Sequence, residues 1–328
     1  MIFEKQVEDA FEKAVRVRCD DMGTAYYFSA DDFPGLKKEA YAFKNQKGER
    51  LQGYFYHYDS PKPYRIVVFD HGMGGGHRSY MREIEMLARH GYRVFAYDHT
   101  GCMESEGEGT NGFAQSLRDL NDALCALKAE PSCVGCEISV MGHSWGAFST
   151  MNIAAVHPDV KGIVAMAGFV SVKQMLRQMF GVGIAKFFYK RMWRVEQAAN
   201  PDFVGYNAVQ TLKEADVPAL LIYCVSDPIV KVQYHRDVLL EALSGCERVR
   251  FLSMADRGHN PNYTPDAAAY LGEYVTALTQ KRKAGELESA EQKKAFVESW
   301  DFWRMTEQDE GVWKEIFDAL DGQGRFCK

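Results

Sequence analysis

The sequence of 328 residues has no run of about 18 apolar residues, the length that a membrane-spanning helix requires. Its first residues, MIFEKQVEDAFEKAV, contain scattered acids and lack the basic start, apolar middle and small-residue cleavage site of a secretory signal peptide. We therefore expect a cytoplasmic protein with no stable membrane insertion.

An excess of positive charge is also missing. Lys and Arg number 39 against 45 Asp and Glu, which gives a net charge of −6. Such a chain has no general attraction to nucleic acid, so a nucleic-acid partner is not expected. Apolar residues make up 46% of the chain and charged residues 26%, which is ordinary for a soluble globular enzyme.

Clusters of cysteine and histidine with metal-ligand spacing are absent as well. Cys133 and Cys136 form a single CxxC, but a structural zinc site needs about four ligands and no second pair follows. Without a signal peptide, the eight cysteines are expected to stay reduced rather than form a disulfide framework. The sequence predicts no metal site, and we interpret the CxxC as two thiols in the loop before a strand, with zinc or redox chemistry as the alternative.

Apolar runs of strand length alternate with amphipathic segments of helix length through the middle of the chain. This alternation predicts an α/β protein with a doubly wound, mostly parallel sheet. A hairpin around Lys47-Gly48-Glu49 is predicted before the alternation begins. The predicted strands are 65–69, 92–97, 138–142, 162–167, 219–225 and 249–252.

Four regions are predicted from this pattern. They are an N-terminal helical extension at 1–39, a core at 40–280, a short helical cap inserted at 169–212, and a helical C-terminal tail at 281–328. In the extension, apolar residues at helical spacing predict a helix over 4–18 with one packed face: Val7, Ala10, Phe11, Ala14 and Val15. In the tail, helices are predicted at 287–299 and 307–320, and Thr306 followed by Asp309 suits an N-terminal cap for the second, with Thr306 as the N-cap residue.

A G-x-S-x-G motif, Gly142 to Gly146, directly follows one of the predicted strands and precedes a helical segment. The two glycines allow a sharp, strained turn that exposes the Ser144 hydroxyl, and the N-terminal end of the helix favours a developing negative charge. The alternative, that these are only turn glycines, fits the strand–turn–helix context less well. Ser144 is therefore the predicted nucleophile.

A serine nucleophile needs a base and an acid that orients the base. With the chain order Ser, acid, His, the base must follow Ser144, and His259 lies in a loop just after the last strand. Asp227 directly follows another strand and precedes a proline, so it is the predicted acid. The competing histidines and acids that satisfy the chain order are less well placed: His157, His235, Asp202, Glu214, Asp216 and Asp256.

The glycine-rich segment after the first parallel strand, Asp70 to Gly76, is predicted to stabilise an oxyanion. Flexible backbone there can direct N–H groups at a carbonyl oxygen, and we expect Met73 N–H and Trp145 N–H to be the two donors. A phosphate-binding loop is the alternative. It lacks both the Lys–Ser/Thr ending of a P-loop and the G-x-G-x-x-G register.

Together these residues resemble the α/β-hydrolase superfamily, in particular its serine esterase, monoacylglycerol-lipase-like and S33-peptidase-like branch. The resemblance covers about residues 40–280 and implies the α/β-hydrolase fold, Ser144 as nucleophile, and no metal or organic cofactor. The segment after Tyr97 departs from the family's D-x-R-G-x-G-x-S pattern, which weakens assignment to a subfamily. The matching segments are His71-Gly72-Met73-Gly74, Tyr97-Asp98-His99-Thr100-Gly101 with Ser105, Gly142-His143-Ser144-Trp145-Gly146, Ser226-Asp227-Pro228 with Val230, and Gly258-His259.

The cap insertion is rich in methionine and aromatic residues. Binding pockets are mostly apolar and methionine adapts to irregular shapes, so four side chains are predicted to contact an apolar acyl group: Met175, Met179, Phe187 and Trp193. The same stripe also fits a helix that simply packs on the core, and the two interpretations are compatible. Between 173 and 194 there are three Lys and three Arg but no acid. This excess suits an anionic substrate or membrane surface, although we favour a solvated helix face.

The leading hypothesis is a serine hydrolase that cleaves small-molecule carboxylic esters or thioesters with apolar acyl groups. A peptidase or amidase with the same triad is the second hypothesis. The third is a binding protein that keeps the fold without activity, which an intact triad and oxyanion loop make less favoured.

Overall fold

The computed structural model describes residues 9–13, 15–59, 64–181, 183 and 186–322. It contains a sheet of eight strands in the order β1-β2-β4-β3-β5-β6-β7-β8. The first two strands form the predicted hairpin, β2 also pairs antiparallel with β4, and all other pairs are parallel. The strands are β1 Lys37–Lys44, β2 Arg50–His57, β3 Arg65–Asp70, β4 Arg93–Tyr97, β5 Glu137–His143, β6 Ile163–Met166, β7 Ala219–Cys224 and β8 Val249–Met254.

The central parallel strands, β3 to β7, are largely apolar on both faces because helices cover the sheet on both sides. In β3, Ile66 and Val68 belong to one core cluster, while Val67 and Phe69 belong to the other. All six predicted parallel-type strands are present, which confirms the predicted doubly wound sheet. Besides a helical stretch at 9–13, the described α-helices are α1 Met81–Arg89, α2 Gln115–Ala129, α3 Trp145–Asn152, α4 Val172–Phe180, α5 Lys186–Ala199, α6 Ala208–Glu214, α7 Arg236–Ala242, α8 Pro265–Ala284, α9 Ala290–Glu298, α10 Phe302–Met305 and α11 Glu310–Leu320.

The N-terminal segment packs on the core through part of its predicted face. Residues 9–13 are helical, and Phe11 and Val15 are buried in the larger core cluster. Ala10, predicted on the same face, is exposed. Val7 and Ala14 lie outside the described residues.

The tail contains the two expected helices, α9 and α11, with the short α10 between them. The expected N-cap at Thr306 is wrong. Asp309 caps α11, because its carboxylate accepts hydrogen bonds from Gly311 N at 2.9 Å and Val312 N at 3.1 Å. The Asp309 carboxylate lies next to the first turn and satisfies its free N–H groups. Thr306 is three residues further from the helix and does not cap it.

Candidate active site

Ser144 occupies the turn between β5 and α3. Its backbone has φ 55° and ψ −109°, a conformation that costs a non-glycine residue on the order of 1–3 kcal/mol. A Cβ on Gly142 would lie 2.5 Å from the carbonyl oxygen of Gly146, and one on Gly146 would lie 2.0 Å from that of Asp70. Only glycine fits at these two positions, so the motif spacing follows from close backbone packing around a strained serine, as in a nucleophile elbow.

Asp227 and His259 form a hydrogen-bonded pair at the same edge of the sheet. Asp227 follows β7, and its Oδ1 accepts from Ile229 N at 2.8 Å and Val230 N at 3.0 Å. Its Oδ2 lies 2.8 Å from His259 Nδ1. Because an ionised carboxylate only accepts, Nδ1 carries the proton, which leaves Nε2 of the neutral ring free to accept one. This is the tautomer that a general base requires.

His143 connects the Ser144 turn with the loop of His259. Its Nε2–H donates to the carbonyl oxygen of His259 at 2.7 Å, and the two rings are 4.7 Å apart. Its Nδ1 accepts from the Tyr80 hydroxyl at 2.8 Å. Burial, together with the repulsion that a protonated His259 would exert, lowers the pKa of His143 to about 3, so the His143 ring stays neutral. His143 therefore holds the residue before Ser144 against the backbone of His259.

The same hydroxyl extends this network to the glycine-rich segment after β3. Gly72 N donates to the Tyr80 hydroxyl oxygen at 3.1 Å, so a single tyrosine contacts both His143 and the predicted oxyanion loop. Met73, the next residue, is half-buried against the larger core cluster. Trp145 is almost fully buried, and its indole Nε1 donates to Phe113 O at 2.7 Å. The two predicted oxyanion donors thus belong to segments that packing and hydrogen bonds hold in place.

Below this edge lies a buried charge cluster centred on His99. Its Nε2 is 2.9 Å from Asp70 Oδ1, and its Nδ1 is 3.3 Å from Asp119 Oδ2. Burial alone would lower the pKa of His99, but the two carboxylates outweigh this effect and raise it to about 10. A cation between two buried carboxylates supports Asp70, where β3 ends and the oxyanion loop begins.

The chain matches the family model for serine aminopeptidases of the S33 family over residues 61–208. Its structure resembles the esterase Pf2001 of Pyrococcus furiosus with a TM-score of 0.57 and 18% identity, over 79% of this chain and 96% of that one. Together these matches show that the chain has the α/β-hydrolase fold. This confirms the fold that the resemblance inferred from the sequence implies.

A second solved structure supports the same fold. It is a protein of Klebsiella pneumoniae subsp. pneumoniae, provisionally assigned as a dienelactone hydrolase. The TM-score is 0.55 and the identity 16%, with 87% of this chain and 98% of that chain covered. At such identities the likeness shows the fold and leaves the reaction to be argued from the site itself.

The predicted acyl-binding residues lie in different environments within the cap segment. Met175 packs in the larger core cluster, and Trp193 is partly buried against it with Lys173 Nζ 4.8 Å from its ring centre. Met179 and Phe187 are 38% and 74% exposed. Two of the four side chains therefore pack against the core and two are exposed to solvent. A role in binding an acyl chain remains a prediction for all four residues.

Sequence reasoning missed Tyr80, His143 and His99 as contributors to the site. His143 stood inside the recognised motif but had no assigned role, and Tyr80 has no sequence signal. Among the described residues, no group of three or more His, Cys, Asp or Glu side chains is arranged to hold a metal ion. Within the same residues, no helix combines the length and apolarity needed to cross a membrane.

Proposed function

We propose that this protein is a serine hydrolase that cleaves carboxylic esters or thioesters through an acyl-enzyme on Ser144. The observation that carries the proposal is the 2.8 Å hydrogen bond between Asp227 and His259 Nδ1, next to the strained turn of Ser144. His143 brings the two parts together, since it precedes Ser144 and donates to the backbone of His259.

In the proposed reaction, His259 Nε2 accepts the proton of the Ser144 hydroxyl as its oxygen attacks the acyl carbon. Asp227 keeps the ring in the required tautomer and stabilises the imidazolium. Met73 N–H and Trp145 N–H donate to the oxyanion, a contribution worth about 10²–10³ in rate for one donor in enzymes of this kind. His259 then protonates the leaving group, and water releases the acyl group by the same steps.

The proposed substrate is a small-molecule ester with an apolar acyl group, turned over in the cytoplasm. Esterase structures share the fold, and the cap supplies exposed apolar side chains such as Met179 and Phe187. The similarity of the chain to S33 serine aminopeptidases favours a peptidase or amidase as the second candidate. Initial rates with p-nitrophenyl esters against aminoacyl amides distinguish the two.

A fluorophosphonate probe tests whether Ser144 is a nucleophile at all. The wild-type protein should be labelled at Ser144, and Ser144→Ala should lose both labelling and several orders of magnitude in turnover. Ser244→Ala, at an exposed serine in the loop before β8, is the matched control and should be labelled normally. Undiminished labelling of Ser144→Ala, or no labelling of the wild type, would contradict the proposal and favour a binding protein without activity.

A further inference from the structure

Two cysteines that the proposed reaction does not use lie opposite each other beside the oxyanion loop. Cys19 belongs to the N-terminal segment and Cys102 to the loop after β4. The two residues form an isolated parallel β-bridge, in which Cys19 N donates to Gly101 O and Met103 N donates to Cys19 O, both at 2.9 Å. Neighbouring strands lie about 4.7–4.9 Å apart, which is within the Cα separation of about 4.4–6.8 Å that a disulfide needs.

The pairing does not depend on the bridge alone. Arg18, next to Cys19, donates from its guanidinium to the carbonyl oxygens of Met103, Ser105 and Gly107, at 2.5, 2.9 and 2.9 Å. These carbonyls belong to the segment that carries Cys102. The register of this segment against the Cys19 segment is therefore fixed by side-chain hydrogen bonds as well as by the backbone bridge. The backbone bridge therefore holds the two cysteines at directly opposed positions in the folded protein.

The environments of the two thiols differ in the way that a redox pair requires. Cys19 is half-buried, while Cys102 is fully buried. The hydrogen bond from the Cys102 thiol lowers the pKa of Cys19 to about 7 against the opposing effect of burial, and Gly74 N–H adds to the lowering. The same hydrogen bond and burial raise the pKa of Cys102. An accessible thiolate next to a protonated, buried thiol matches an attacking and a resolving cysteine.

A cleft that could hold a small oxidant adjoins the chain neighbours of the pair. A cleft of about 230 Å³ is lined by Asp20 and Met103, the chain neighbours of the two cysteines, and by Tyr27 and Arg78. Hydrogen peroxide is far smaller than this cleft.

We propose that Cys19 and Cys102 form a reversible disulfide when the protein meets a hydroperoxide, which ties the N-terminal segment to the loop after β4. The Cys19 thiolate attacks one peroxide oxygen, the O–O bond breaks, and the other oxygen leaves as hydroxide, which gives a sulfenic acid. The Cys102 thiol then attacks the sulfenic sulfur and water leaves, so that two thiols lose two electrons to the peroxide. This inference is independent of the proposed hydrolase activity.

Peptide mapping of the full-length protein tests the proposal. After treatment with hydrogen peroxide and alkylation of the remaining thiols, we expect a cross-linked Cys19–Cys102 peptide that disappears on reduction. Cys102→Ser should instead leave Cys19 as a sulfenic acid that dimedone traps, and Cys19→Ser should give no cross-link. Cys125→Ser, at an exposed cysteine of α2, is the matched control and should form the cross-link as the wild type does.

A second measurement does not depend on the variants. If the disulfide ties down the N-terminal segment, trypsin should cut after Arg16 and Arg18 several-fold more slowly in the oxidised protein than in the reduced one. The proposal is overturned if both Cys19 and Cys102 remain free to alkylate after peroxide has oxidised Cys125, or if Cys19 is found linked to another cysteine.

Discussion

Glu196, on α5 of the cap segment, is a buried carboxylate whose removal should stabilise the protein. It is fully buried, and its Oε2 accepts from Phe113 N at 2.9 Å while Oε1 has no hydrogen-bond partner. Burial raises its pKa from 4.5 to about 7, against the lowering effects of the Phe113 N–H group and the charge of Arg16. The folded protein therefore binds a proton at Glu196 more tightly than the unfolded chain does.

The sign of the pH dependence follows from this difference. The stabilising contribution of the protonated side chain is fully present below about pH 4.5 and is lost as the pH rises towards 7. The shift from 4.5 to about 7, at 1.36 kcal/mol per pKa unit, corresponds to roughly 3 kcal/mol. Above pH 7 this stabilising contribution is absent from the wild type, because Glu196 is then charged and still buried.

Glu196→Gln keeps an acceptor for Phe113 N–H and removes the charge. We expect the free energy of unfolding at pH 8 to exceed that of the wild type, and the gap between the two proteins to widen by about 2.5 kcal/mol between pH 5 and pH 8. Denaturant unfolding followed by circular dichroism at several pH values measures this gap. Glu241→Gln, at an exposed position of α7, is the control and should show no comparable change. A gap that does not vary with pH would refute the reasoning.

Three further predictions concern the site. Asp227→Asn should lower ester turnover by about 10⁴-fold without unfolding the protein, because the amide favours the wrong tautomer of His259; near-normal turnover would assign the acid elsewhere. Tyr80→Phe removes the donor to His143 and the acceptor of Gly72 N–H, so turnover should fall by about tenfold with little change in KM. Phe187→Ala should reduce the preference for octanoate over acetate esters but leave phosphonate labelling unchanged; equal losses for both esters would exclude Phe187 from the acyl site.

The sheet was predictable because each central strand is an apolar run buried on both faces. Ile66 to Phe69 alternate between the two core clusters, so the sequence has no polar position that would obscure the strand. The Ser144 turn was predictable for a related reason. The contacts that exclude a side chain at Gly142 and Gly146 lie within a few residues of each other or at the end of the neighbouring strand.

The supporting network was not predictable, because its contacts join distant parts of the chain. Tyr80 and His143 are 63 positions apart, and His143 and His259 are 116 apart. Nothing in the local sequence shows that these groups become hydrogen-bonded partners. The cap illustrates the same limit, since its methionine-rich and aromatic composition grouped Met175 with Phe187 as candidate acyl-binding residues, yet one is buried in the core and the other is 74% exposed.

The network also explains why a buried charge is retained beneath the site. Gly146 approaches the carbonyl oxygen of Asp70 so closely that no side chain fits between them, so α3 and the end of β3 cannot move independently. The carboxylate of Asp70 accepts from Tyr97 and Ser149 and lies 2.9 Å from the His99 ring. A buried ion pair adds little net stability, because desolvation offsets its attraction. The ion pair between Asp70 and His99 instead fixes the position of Asp70. If Asp70 moved, the oxyanion loop that follows it would move as well, and its carbonyl oxygen would clash with the helix that begins after Ser144.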